Sequence, residues 1–126
     1  VVFARDPEPV VRVSRSDLDD PLSSWSGHGF ELDGARWPTV EHYFQAMRFE
    51  DPDLREAVRT AAHPRDAEKL AKKSRRRTRR DWKRVRTTVM TRAFYLKCRT
   101  HPEAAEALLA TGERPILETS QYDYFW

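Results

Sequence analysis

The chain predicts a mainly α fold of the α+β class, in one domain with a small β element near its start. Three observations carry that reading. Helix-start signals recur at Thr39, Asp51-Pro52, His63-Pro64 and His101-Pro102, and most of the segments they open carry apolar residues at helical spacing. Asp33-Gly34 interrupts an alternating stretch, which marks a short hairpin. The 126 residues are 39% hydrophobic and show neither an internal repeat nor a linker, so they can bury one core without disulfide or metal staples.

Taken in order, Val1–Phe3 and Val10–Ser14 are β-rich fragments separated by Asp6-Pro-Glu-Pro9. Pro21–Gly29 is a Ser- and Gly-rich loop that contains Trp25 and His28, and Phe30–Trp37 is the hairpin. Thr39 can accept a backbone N–H of the following turn and so caps the first helix. In that helix Val40, Tyr43, Phe44 and Met47 fall on one apolar face. The second helix begins near Asp51-Pro52 with Leu54, Ala57, Val58 and Ala61 inward. The third begins at His63-Pro64, where proline suits the first helical position, with Ala67, Leu70 and Ala71 inward. A long helix from about Asp81 to Arg99 presents Trp82, Val85, Val89, Ala93 and Leu96, and Cys98 on the same helix reads as a core residue. His101-Pro102 opens a last helix that Gly112 closes. Residues 114–126 read as a short strand and an aromatic turn.

Composition narrows the function classes. A net charge of +3 and a pI near 9.2 permit a polyanionic partner without demanding one. Cys98 is the single cysteine, so no internal disulfide forms, and a reducing, cytoplasmic setting is the expectation. No apolar run reaches membrane-span length, and no signal peptide is visible. The four histidines stand far apart in the chain and Cys98 is alone, so no metal-ligand spacing exists. Four glycines build no phosphate-cradling loop, the serines lack a nucleophile-elbow context, and no cofactor is called for.

Three groupings can carry chemistry. Glu41, Gln45 and Arg48 recur at i, i+4 and i+7 beside the aromatic stripe of the first helix. A carboxylate there can lose water and have its pKa raised, which suits proton transfer; ordinary helix-surface pairing gives the same spacing. Near the end, Asp123 stands between Tyr122 and Tyr124 with Trp126 three residues on, a set that either stacks a base or closes the core. Third, Lys72, Lys73, Arg75, Arg76, Arg77, Arg79, Arg80, Lys83, Arg84 and Arg86 crowd one stretch around Trp82. Phosphate contacts need such charges, and a solvated helix face carries them equally well.

Four ordered blocks resemble the NADAR family, also called YbiA-like N-glycosidases. Trp37-Pro-Thr-Val-Glu-His-Tyr-Phe-Gln45 is similar to the family's W-P-T-S-E-H-Y-F-Q block, and Asp81–Met90 to its second block, a Trp followed later by V-M. Leu108-Leu-Ala-Thr-Gly112 resembles its L-L-A-T turn, and Glu118 to Trp126 its E-x4-D-x2-W ending. The resemblance spans nearly all of residues 1–126 as one domain. It implies a YbiA-like, compact and mostly α fold and cleavage of N-glycosidic bonds. The substrate classes it implies are ribosylamine-type intermediates of riboflavin synthesis and ADP-ribosylated guanine. Carried over by motif, Glu41 is the main acid/base residue, Asp123 the second acid, and Arg48 stands at a catalytic position. Trp37, Trp82 and Trp126 line the substrate with Gln45 and Ser24.

Three departures stand out. Arg48 replaces the family's Lys, and a guanidinium cannot form the Schiff base that a desolvated amine can. Ser24, within Leu22-Ser-Ser-Trp25, replaces an amide of the family's F-S-N-F loop, which alters the directed hydrogen bonds available. The family's Gly-rich segment and last helix, beyond the final Trp, are not among these residues, and exposed core and pocket surface is the expectation. The leading expectation is an N-glycosidase acting on a ribosylated or ADP-ribosylated base. The alternative is a non-catalytic module that binds ADP-ribose or nucleic acid. The partners expected are a nucleotide or an ADP-ribosylated base, including one in nucleic acid, and not a membrane.

Overall fold

The computed structural model describes residues 10–119. Strand β1 (Val11–Ser14) is followed by β2 (Phe30–Leu32) and β3 (Ala35–Trp37). Helices α1 (Val40–Met47), α2 (Pro52–Arg59) and α3 (Pro64–Lys73) follow, then a 3-10 turn at Arg75–Arg77, α4 (Trp82–Thr100), α5 (Pro102–Ala110) and β4 (Ile116–Thr119). This is the expected mainly helical α+β architecture. Among the described residues, no helix is long and apolar enough to cross a membrane.

The hairpin forms where its turn pair demands. Asp33 and Gly34 take φ of 54° and 77°, the two left-handed residues of a tight hairpin turn, and Phe30 pairs with Trp37 across it. Asp33 has a second task. Its carboxylate accepts from the Tyr43 hydroxyl at 2.7 Å and from Arg92 Nη2 at 2.9 Å, so the turn is tied to both α1 and α4. Just before the hairpin, Gly29 is squeezed. A Cβ there would lie 2.9 Å from the Trp37 carbonyl oxygen and 2.9 Å from Arg36 Nη2. Gly29→Ala is therefore expected to cost about 1–3 kcal/mol in urea unfolding. A loss below a few tenths of a kcal/mol would show that the backbone yields there freely.

Helix α1 is the hub. It packs against α2, α3 and α4, and all eight of its residues are buried. Thr39 Oγ1 accepts from His42 N, as its position predicts. Phe30, Tyr43, Phe44, Phe49 and Val58 are essentially inaccessible and form the heart of the core. A short helix buried all round must give each of its polar side chains a partner, and that need creates the site described below.

Several sequence expectations need correction. β1 pairs in parallel with β4, in register from Val11↔Ile116 to Ser14↔Thr119, so the β structure joins both ends of the described chain as well as forming the hairpin. Ala57 faces solvent, because α2 turns only Leu54 and Val58 fully inward, and Ala61 lies past its end, half-buried. On α4, Leu96 and Cys98 are half-buried and Lys97 takes the inner place between them, four residues after Ala93. Val1–Phe3 and the aromatic turn after β4 lie outside the described residues.

Candidate active site

Glu41 occupies the first turn of α1 and is fully buried. Gln45, one turn on, donates from Nε2 to Glu41 Oε1 at 2.8 Å. Ser24 comes in from the 21–29 loop and donates from Oγ to Glu41 Oε2 at 3.2 Å. The backbone repeats that link, since Glu41 N donates to the Ser24 carbonyl at 2.9 Å. Both carboxyl oxygens are thus fixed by neutral donors. Gln45 Oε1 is buried and has no partner among the described residues, which leaves one directed acceptor beside the carboxyl.

Two charged residues that sequence reasoning missed flank this group. Arg15, just after β1, is buried, and its Nη2 lies 3.2 Å from Glu68 Oε2 on α3. Glu68 is also paired with Lys72 at 3.1 Å. Nothing local marks Arg15 or Glu68, since only the folded chain brings them to α1. Burial, the largest influence, pushes the Glu41 pKa up; Arg15 and the bonds from Gln45 and Ser24 oppose it, and Glu68 adds to it. Such a carboxyl keeps its proton at pH values where a free one has lost it, so it can act as an acid as well as a base.

His42 shows what the same buried helix does to a neighbouring titratable group. Its Nε2 lies 2.9 Å from the Ala61 carbonyl, which only accepts, so Nε2 carries the proton and Nδ1 accepts from Thr39 Oγ1 at 2.8 Å. Burial pulls its pKa down, and this histidine is a neutral structural residue.

Arg48, at the end of α1, is 6% exposed. Its guanidinium carbon sits 5.1 Å from the centre of the Trp82 ring, and Trp82 packs on Phe44 at 5.0 Å. Burial, first, and Arg86 pull its pKa down, against the opposing charge of Glu41; the guanidinium still stays charged at neutral pH. Trp82 Nε1 is buried without a partner among the described residues. Trp37 goes elsewhere: its Nε1 donates to the Leu32 carbonyl at 2.8 Å and its ring meets Tyr43 edge-on at 5.0 Å. The structure thus gathers Glu41, Gln45 and Ser24 in one group and sets Arg48 against Trp82, while Trp37 serves the core. Asp123 and Trp126 lie outside the described residues.

Lys97 also escaped the sequence reading. Its amine is fully buried, donates to the Ser23 carbonyl at 2.8 Å and lies 5.0 Å from the Phe94 ring centre. The signal was present, because Val89, Ala93 and Lys97 are four apart along one face of α4. Burial, first, pulls its pKa down to about 8, against the fields of Cys98 and Asp20. With the folded pKa below the unfolded one, the unfolded chain binds more protons in between, so stability rises with pH through that window. Relative to Lys97→Met, the wild type is expected to gain about 2 kcal/mol in urea unfolding between about pH 8 and 10. Equal slopes in both proteins would mean that the amine is in contact with water.

The basic stretch is partly neutralised. Arg77 pairs with Asp51, and Arg79 Nε lies 2.6 Å from Asp81 Oδ1. These residues, with Glu50, Thr78 and Arg80, line an open cleft of about 350 Å3. Three acids and three arginines line it together, so it is not a simple anion funnel. Among the described residues no group of His, Cys, Asp and Glu is arranged to hold a metal ion.

The NADAR domain model matches residues 13–126. The chain belongs to the NADAR family. Among its NADAR relatives is the N-glycosidase Npun_R5314 of Nostoc punctiforme, 39% identical over 108 residues that cover 83% of this chain and 69% of that protein. The N-glycosidase YbiA of Escherichia coli is 34% identical over 113 residues, 90% of this chain and 71% of YbiA. The NMR structure of E. coli YbiA superimposes with a TM-score of 0.81 at 31% identity, covering 96% of this chain and 73% of that one. A riboflavin biosynthesis protein of Zea mays, PYRR, is 32% identical over 125 residues, 87% of this chain and 20% of that longer protein.

Proposed function

We propose that this NADAR chain is an N-glycosidase that hydrolyses the C1–N bond of a ribosylated or ADP-ribosylated base. The observation that supports this best is Glu41, a fully buried carboxyl whose two oxygens are held by Gln45 and Ser24 and whose pKa is raised. Cleavage breaks the bond from the sugar C1 to nitrogen, joins a water oxygen to C1, and passes a proton to the departing nitrogen. Positive charge builds on the sugar in between, and a desolvated carboxylate stabilises it. Glu41 gives the proton in one half of this exchange or takes it in the other.

Around it, the free Gln45 acceptor orients a sugar hydroxyl, and Trp82 with Arg48 forms one wall. Asp123 is the proposed second acid, in the manner of paired carboxylates at glycosidic bonds. β4 ends at Thr119 opposite Ser14, one residue before Arg15 of the Glu41 cluster. Asp123 is four residues further on, a reach of at most about 14 Å. The N-glycosidase names of the relatives support the reaction class. The riboflavin biosynthesis name supports a ribosylamine-type substrate, and ADP-ribosyl-guanine is the other proposed one. Incubation with each, followed by chromatography of released base and sugar, tests the proposal. No product from either, with the protein folded, would contradict it.

A second reading has its own observation. Arg48 is no amine nucleophile, and its cation on Trp82 suits holding a phosphate or carboxylate. As a binding module the chain would hold ADP-ribose without releasing product. If its partner were nucleic acid, affinity would fall steeply with added salt. Titration calorimetry with ADP-ribose and with an oligonucleotide at two salt concentrations separates these readings.

A further inference from the structure

A fully buried lysine needs a reason, because an unpaired ammonium in the interior is costly. The Lys97 amine donates at 2.8 Å to the carbonyl of Ser23, which belongs to the same peptide unit as the Ser24 nitrogen. On the far side of that peptide, the Ser24 hydroxyl and carbonyl are both bonded to Glu41. Ser23 Oγ donates to the Arg15 carbonyl at 2.5 Å and accepts from Trp25 N at 3.1 Å, so the same residue also holds the stretch that carries Arg15. The 23–24 peptide is thus a rigid link between α4 and the carboxyl on α1.

We propose that Lys97 is a positioning residue for the Glu41 site: from α4 it clamps the Ser23 carbonyl and so sets the Ser24 hydroxyl against the Glu41 carboxyl. Its catalytic consequence rests on the N-glycosidase reading, while its structural consequence does not. The Ser23 carbonyl and the Phe94 ring lie against the amine, and the charges of Cys98 and Asp20 act on it. The groups acting on the carboxyl are Arg15, Glu68, Gln45 and Ser24. Between the two, the shared element is the 23–24 peptide, bonded to Lys97 at its carbonyl and to Glu41 through Ser24, and the cycle below separates this link from the charge of the amine.

The test is a double-mutant cycle of Lys97→Met and Ser24→Ala with two readouts, the titration of the Glu41 carboxyl by 13C NMR and steady-state kinetics. Either single substitution removes the Ser24 bond that favours the ionised carboxyl, so each raises the titration midpoint by about half a unit or more. The double variant goes no further than Ser24→Ala alone. kcat falls about tenfold in Lys97→Met with KM within about twofold, as expected for a displaced catalytic group, and the loss disappears in the Ser24→Ala background. An unchanged Glu41 titration in Lys97→Met overturns the proposal, as do losses that multiply in the double variant, since a staple that only supports the fold gives both. Should Lys97→Met not fold, Lys97→Gln, which keeps an N–H donor one bond shorter, shows a smaller shift in the same direction; no shift overturns the proposal. If the wild type releases no base while the titrations couple as described, the positioning role stands and the N-glycosidase reading falls.

Discussion

Glu41→Gln is expected to lower the release of free base by about 10²- to 10⁴-fold while leaving the fold in place. The fold should survive because the substitution preserves the shape and the hydrogen bonds. The new side-chain oxygen still accepts from Gln45 Nε2, and the new amide donates to Ser24 Oγ, a hydroxyl able to turn and accept. Burial already penalises the ionised form of Glu41, so a neutral amide costs little there. What is lost is the movable proton and the negative charge that answers a developing sugar cation. Base release measured by chromatography, with circular dichroism on the same sample, checks both halves. Undiminished turnover in a folded variant would remove Glu41 from its role.

Arg48→Lys is expected to raise turnover about tenfold or more. At position 48 the cation lies over Trp82 and is cut off from most water. A lysine there would have its pKa lowered, and its neutral fraction could attack C1 of a ring-opened ribosyl group, where C1 is double-bonded to the protonated base nitrogen. That amine joins C1 as the base leaves, and water then hydrolyses the imine and restores the amine. Borohydride should trap the adduct in Arg48→Lys and not in the wild type, where the guanidinium stays protonated. No gain and no adduct, with the ligand still bound, would leave direct hydrolysis at Glu41 as the operating route.

How much could be read beforehand follows the range of the interactions. Thr39, Asp33-Gly34 and the Pro52, Pro64 and Pro102 starts act within a few residues, and each put its element where the structure has it. The β1–β4 pairing joins segments a hundred residues apart, and no turn signal announces it. In the site, Gln45 meets Glu41 because they are one helical turn apart, which spacing foretells. Ser24 bonds the same carboxyl from 17 positions away and the charge of Arg15 acts on it from 26 positions away, and only the packed chain brings them there. Lys97 was hidden for another reason. A cation on a helix is expected to face water, and periodicity drawn from apolar residues alone passes over a buried amine that a backbone carbonyl satisfies. For Trp37 the motif gave no hint of its local partners, the Leu32 carbonyl of the hairpin and the Tyr43 ring.

N-glycoside cleavage at this site requires a sugar C1 held over the Glu41 carboxyl with Asp123 on its other side. The direct measurement is a crystal structure of the Glu41→Gln protein with ADP-ribose. The distal ribose C1 is expected within about 3.5 Å of the substituted side chain at position 41, with Trp82 against the ligand and the Asp123 carboxyl facing the sugar. A ribose bound away from position 41, with Asp123 on another face of the molecule, would contradict it.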